Sequence, residues 1–289
     1  MEIKLLRFKH GLACPYCGGH QIVLWGKRKN IQRYRCKSCA KLFNDLTGTP
    51  LACSKLPEKW SRMAVALQQS MTVRETAQYL GVCNDTAFRW RHRMLAGVRD
   101  ARLEVKLAGI VELDETFFRY SEKGARKLQR RPRKRGNDNH LRGRSKAQVY
   151  AVVARDRTSR TRSFLLRHMS GKELLSEAKN VIAEGSVLCS DCWRSYKTFA
   201  LKAGHRHISL NLNKGKRVVH GIYHIQSVNS YHSRLKTWVR RFNGVATKYL
   251  LNYLIWHEHL DETRKFQRGM GEQKLFITAV STARLVAAA

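Results

Sequence analysis

Four cysteines, Cys14, Cys17, Cys36 and Cys39, stand as two Cys-x2-Cys pairs separated by 18 residues. Two such knuckles can set four thiolates tetrahedrally around one Zn²⁺, with Pro15 and Gly18-Gly19 permitting the tight turn that brings backbone amides near sulfur. Four protein ligands leave no position for water, so this zinc is expected to be structural and catalysis must be sought elsewhere. Two carboxylates offer it: Asp114, late in the apolar, β-branched run AGIVELDETFF (108–118), and Asp191, just past the apolar start of SVLCSDCWRSY (186–196). Acids brought together from separate strands repel unless a cation lies between them or one is protonated, so the pair implies a Mg²⁺ or Mn²⁺ site or a shared proton. A third stretch, QSVNSYHSRLKTWVRRF (226–242), divides at helical spacing. Tyr231, Leu235, Trp238 and Phe242 form an apolar stripe; Asn229, His232, Ser233, Lys236 and Arg240 recur at steps of three, four and seven on the opposite face. That face would offer a metal-ligand oxygen from Asn229 and, from Lys236 two turns on, a cation suited to a phosphate.

The elements that must position these residues begin near Leu107. The run 108–118, then QVYAVVARD (148–156) and SFLLRHM (163–169), read as strands; GKELLSEAKNVIAEG (171–185) reads as a helix with a Gly stop, and 186–196 as a short buried strand running into an acid. This order predicts an α/β domain over 105–270 around a mixed sheet, with strand ends facing a crevice where ligands bind. Between the first two strands lies an insertion at 119–146, far longer than a hairpin requires, centred on Arg130, Arg131, Arg133, Lys134 and Arg135. The single-sign charge of that centre, at the mouth of the site, is suited to DNA phosphates.

Residues 1–48 read as a zinc ribbon, with QIVLWGKRKNIQRYRC alternating like two short strands around a polar turn. In 49–104, a helix at 56–69 precedes Thr72 and Glu75, which form a capping box. Ala77, Leu80 and Val82 around Gly81 give helix-turn-helix spacing. The following helix (84–95) would enter the major groove, with Asn84, Thr86, Arg89 and Arg93 in reach of DNA. Residues 271–289 are left as a C-terminal tail. Cys189 is expected to pack in its strand with Cys192 at the next helix start; Cys53 and Cys83 read as small buried residues.

Composition fits this plan. Lys and Arg total 56 against 21 acids, a net charge of +35, typical of a chain held on a polyanion by phosphate contacts. The basic residues are spread along the whole chain, which disfavours a membrane surface. No apolar run reaches the ~20 residues of a membrane helix, and the start lacks the features of a signal peptide. A cytoplasmic protein with reduced cysteines is expected.

The residues quoted above resemble the DDE-type insertion-sequence transposases of the zinc-ribbon branch, above all at VELDETFF, SDCWRSY and HIQSVNSYHSRLKTWVRRFNGVATKYL (224–250). The resemblance implies a ribonuclease H-like domain with a mixed five-stranded sheet. It implies Asp114, Asp191 and Asn229 as ligands of two Mg²⁺ or Mn²⁺ ions, with Lys236 as the accompanying base. It further implies cleavage and strand transfer at element ends and a homo-oligomer on double-stranded DNA. The alternative is a transposase-derived DNA-binding regulator that has lost catalysis, with Asn229 as the lesion.

Overall fold

The computed structural model describes residues 3–8, 11–102, 105–128, 147–211, 215, 217–266 and 271–281. Its contacts divide the chain into one unit of Met1–Glu104 with Thr263–Ala289 and a second of Val105–Glu262.

In the first unit, a short helix α1 (Ile3–Arg7) precedes a three-stranded sheet. β1 (Ile22–Arg28) and β2 (Ile31–Cys36) pair antiparallel around Lys29-Asn30, both at positive φ, and β3 (Leu42–Asn44) joins β2. Asn tolerates that left-handed conformation, and it matches the twist of a tight hairpin. The buried core here is very small: Cys14, Tyr34, Cys36 and Phe43. A 3₁₀ turn at Pro57–Lys59 then leads into α2 (Trp60–Gln68), α3 (Val73–Leu80) and α4 (Asn84–Arg102). The Thr72–Glu75 capping box forms in full: the Thr72 hydroxyl accepts the Glu75 N–H, and the Glu75 carboxylate accepts the Thr72 N–H at 2.7 Å. Gly81, at φ 61°, ends α3, a conformation that costs glycine nothing. Trp60 stacks on Trp90 at 4.9 Å, and Met63, Leu67, Leu80, Met94 and Val98 are buried with them. Residues 271–281, part of the tail in the sequence reading, form α9 (Gly271–Ser281), with Leu275, Ala279 and Val280 buried. A Cβ on Gly97 would lie 2.4 Å from the Ala279 carbonyl oxygen, so the close approach of α4 and α9 depends on glycine there.

The second unit is built on one five-stranded sheet, ordered β6-β5-β4-β7-β8, from β4 (Ile110–Arg119), β5 (Gln148–Asp156), β6 (Thr161–Leu166), β7 (Val187–Asp191) and β8 (Arg206–Leu210). β4, β5 and β6 are antiparallel; β7 and β8 run parallel to β4, so the sheet is mixed as expected. Period-2 alternation splits the core into two layers. On one face Val111, Leu113, Val152, Ala154 and Leu188 pack with α5 (Gly171–Ala178) and α6 (Arg194–Ala203). On the other, Ala151, Val153 and Cys189 pack under Val228, Tyr231 and Leu235 of α7 (Gln226–Arg240) and Leu250 and Leu254 of α8 (Thr247–Phe266).

Two local expectations are corrected. The helix read at 171–185 ends at Ala178, because the β-branched pair Val181-Ile182 joins a bridge to Leu107. Cys53 and Cys83 are exposed, not buried. Cys83 sits just before α4, where its sulfur contacts the Thr86 hydroxyl at 3.1 Å, a polar helix start that keeps it at the surface.

Candidate active site and zinc site

The sulfurs of Cys14, Cys17, Cys36 and Cys39 all lie within 4.8 Å of one another, with Cys14–Cys39 and Cys17–Cys36 each at 3.6 Å. Tetrahedral Zn–S bonds of ~2.3 Å place sulfurs ~3.8 Å apart, so the donor set fits one zinc ion. The first knuckle is shaped by its backbone: the Gly18 N–H reaches the Cys14 carbonyl at 2.8 Å, and the Tyr16 N–H points at the Cys14 sulfur at 3.4 Å. Among the described residues this is the group of three or more His, Cys, Asp or Glu already gathered at coordinating distance.

The acid pair is set by strand register. β4 and β7 pair as Ile110↔Val187, Val111↔Leu188 and Glu112↔Cys189, and there the ladder ends. Continued by two residues, the same offset carries Asp114 and Asp191 to equivalent positions just past the paired stretch. Residues level on parallel strands face the same way; both side chains therefore face the layer of α7, as Glu112 and Cys189 do. Beyond Glu112 the two strands are no longer paired. Both aspartates are part-exposed, and the Asp191 carboxylate accepts the Trp193 N–H at 3.0 Å, a turn that starts α6. The buried Tyr196 hydroxyl donates to Glu115 at 2.8 Å. Burial first, then Glu115, Asp114 and Asp191, raise Tyr196 well above the usual tyrosine range, so one hydroxyl senses all three acids.

Helix α7 is held against this edge at two points. Its third residue, Val228, donates its backbone N–H to the buried Glu112 carboxylate at 2.9 Å, satisfying a donor that the first turn leaves without a helical partner. Arg157 and His224 close around the same carboxylate. Further along, Arg234 and the buried Arg155 both reach Asp261 of α8 at 2.9 Å, with Arg155 over the Tyr231 ring. Glu262 is taken up by the Thr161 N–H and Arg162.

The predicted face of α7 divides. Asn229, Ser233, Lys236 and Arg240 are exposed, whereas His232 is buried and turns Nδ1 toward Oδ2 of Asp114 at 3.4 Å. Of the apolar stripe, Tyr231 and Leu235 are buried, and Trp238 and Phe242 are half-buried among Tyr253 and Trp256. Cys189 lies in the core, where burial pushes its thiol up to about 11, and Cys192 is exposed just before α6. On α4, Asn84 and Arg89 are exposed and Thr86 is half-buried; Arg89 pairs with Asp85. Arg93 is half-buried, its guanidinium over the Trp60 ring and donating to the Ala52 carbonyl. Arg130, Arg131, Arg133, Lys134 and Arg135 lie outside the described residues; β4 runs on to Arg119, which pairs with Gln148.

Sequence reasoning passed over Glu112, Tyr196 and Asp261. Glu112 was the findable one: two residues before Asp114, it must share that residue's face of the strand.

A protein of the transposable element ISH50 from Halobacterium salinarum, itself uncharacterised, is 25% identical over 256 residues, covering 86% of this chain and 85% of that protein. The crystal structure of a pre-cleavage Mos1 transpososome aligns over 77% of this chain and 79% of that one at 13% identity, with a TM-score of 0.22, too low to support an argument. Residues 106–256, a span that holds Asp114, Asp191, Asn229 and Lys236 and makes up just over half of the 289 residues, match the ISXO2-like transposase domain. The chain therefore belongs to the ISXO2-like transposase family.

Proposed function

We propose that this transposase binds the ends of an insertion sequence and cleaves and transfers DNA strands in a reaction dependent on divalent metal. The observation that carries this is the register that brings Asp114 and Asp191 to equivalent strand positions, facing the helix that bears Asn229 and Lys236. When bound, two Mg²⁺ or Mn²⁺ ions supply an activated water or 3′-hydroxyl and charge stabilisation for in-line displacement at a phosphodiester. Asp114 and Asp191 would hold the ions by carboxylate oxygens, and Asn229 would add an amide oxygen, an acceptable donor to a hard cation that compensates less charge than a carboxylate. Lys236 and Arg240, exposed along α7, hold the DNA phosphates.

Three antiparallel strands followed by two parallel ones, with helices on both faces, support a ribonuclease H-like domain. The α3–turn–α4 unit reads as a helix-turn-helix that presents Asn84, Thr86 and Arg89 to DNA, and the ribbon holds one structural zinc. Arg93 is the weaker member of that set, since its guanidinium already serves Trp60 and Ala52. The basic insertion and the +35 charge supply phosphate contacts, and bringing two ends together calls for a homo-oligomer on DNA.

The test uses purified protein and the DNA bordering its own gene. Asp114→Asn is expected to abolish nicking at the element ends while binding of that DNA stays within about threefold. Equal nicking by the variant would remove the metal-site assignment. No nicking by the wild-type protein, with binding intact, would favour the regulator.

A further inference from the structure

We propose that His232 is a nitrogen ligand of the divalent ion at Asp114, so that the site takes a transition ion such as Mn²⁺ in preference to Ca²⁺. This rests on the metal-site reading above and adds to it a ligand type that neither aspartate nor Asn229 provides.

The imidazole is not placed as an ordinary hydrogen-bonding partner of Asp114. Its side chain is 9% exposed, and Nδ1 lies 3.4 Å from Oδ2 of Asp114. A charge-assisted N–H···O⁻ bond closes to ~2.7–2.9 Å, whereas two donors each ~2.1 Å from one ion, at the angles of an ordinary coordination shell, stand roughly 3.0–3.4 Å apart. A separation of 3.4 Å lies at the upper end of such an edge. Nε2 is buried and has no hydrogen-bond partner among the described residues.

The neighbouring groups are already engaged. Glu112 holds Val228, Arg157 and His224, and the Nε2 atom of His207 meets the Ser190 hydroxyl at 2.8 Å. His232 is the imidazole left beside Asp114. It follows Asn229 by three residues and precedes Lys236 by four, so amide, imidazole and ammonium run in order along one side of α7, from metal toward phosphate. Asp191 accepts the Trp193 N–H with Oδ1 alone, which leaves Oδ2 for the ion.

An imidazole donor shifts metal preference. Ca²⁺ favours six to eight oxygens, whereas first-row transition ions accept nitrogen, with affinity rising beyond Mn²⁺ along the series.

The experiment uses the full-length, zinc-loaded protein and Mn²⁺ alone. Pulsed electron paramagnetic resonance of bound Mn²⁺ should show nitrogen coupling that changes when the histidines carry ¹⁵N. That coupling should disappear in His232→Gln and persist in His207→Gln. By calorimetry, His232→Gln should weaken Mn²⁺ binding by about tenfold or more and Mg²⁺ binding by less than about threefold. Wild-type protein that binds Mn²⁺ without nitrogen coupling, or with coupling that survives in His232→Gln, overturns the proposal. The labelled wild-type sample needs no variant to fold. Asp114→Asn separates the two claims: if it binds Mn²⁺ as tightly as wild type, the metal-site reading itself fails.

Discussion

Replacing Glu112 with Gln should loosen the start of α7 without touching any proposed metal ligand. The Glu112 side chain is 1% exposed and accepts the Val228 N–H at 2.9 Å, with Arg157 and His224 against the same carboxylate. Gln retains the length and one acceptor oxygen but removes the charge. A hydrogen bond to a charged group contributes ~1.5–3 kcal/mol, and a negative charge at a part-buried helix N-terminus up to ~2 kcal/mol. These overlap, since one carboxylate supplies both, and Arg157 remains 29% exposed and finds water when unpaired. A loss of about 2 kcal/mol follows. If it is expressed as local opening, exchange of the Val228 amide should accelerate by about 30-fold, because ~1.4 kcal/mol corresponds to tenfold. Hydrogen exchange read residue by residue is the assay, with Val152 of the sheet core as the internal control. End cleavage should fall, since Asn229 directly follows Val228 in the first turn. A Val228 amide exchanging within about threefold of wild type would refute the view that Glu112 anchors the helix.

Two further outcomes are expected. The ribbon's buried core is Cys14, Tyr34, Cys36 and Phe43, two of them members of the four-cysteine group proposed to hold zinc, so stripping zinc or making Cys36→Ser should unfold this module while α7 and its sheet persist. Metal analysis should return one zinc per chain, and proteolysis should then cut within residues 11–48; a ribbon that stays protected without zinc contradicts this. Burial pulls His257 down to about 4, with Asp261 opposing and Arg234 and Arg155 reinforcing the shift, while its ring packs against Tyr231 and Trp238. The folded protein therefore refuses a proton that the unfolded chain takes near pH ~6.5. The associated stability is complete above ~6.5 and erodes, by on the order of 3 kcal/mol, as pH falls toward 4. His257→Phe should flatten the melting temperature between pH 7.5 and 4.5; an unchanged slope would show that the acid sensitivity lies elsewhere.

How much of this was legible in the sequence depended on the range of the interaction. The cysteine spacing, the Thr72–Glu75 box and the Gly81 stop are local, and each appears in the structure as its chemistry requires. The apolar runs put Asp114 late in a strand and Asp191 just past one; in the structure Asp114 lies at the middle of β4 and Asp191 is the last residue of β7. The β4–β7 register that brings these strand positions together was not readable, because it depends on pairing between residues 77 apart in sequence. β8 was missed as a segment, since RHISL is too short and too polar to signal a strand and owes its place to pairing with β7. The helical wheel gave α7 its two faces but could not tell that His232 lies at the seam, buried against Asp114, while Asn229 one turn earlier stays exposed. Helix α9 was invisible for a similar reason: its stability comes from docking on α4, where Gly97 admits the Ala279 carbonyl.

The central claim is that Asp114 ligates the catalytic metal directly, and a metal-rescue measurement tests it most closely. Asp114→Cys replaces a hard oxygen by a softer sulfur, which Mg²⁺ binds poorly and Mn²⁺ tolerates better. Nicking of element-end DNA by this variant should be absent in Mg²⁺ and return in Mn²⁺, with Asp114→Asn inactive in both. Wild-type nicking by Asp114→Cys in Mg²⁺ would contradict the account.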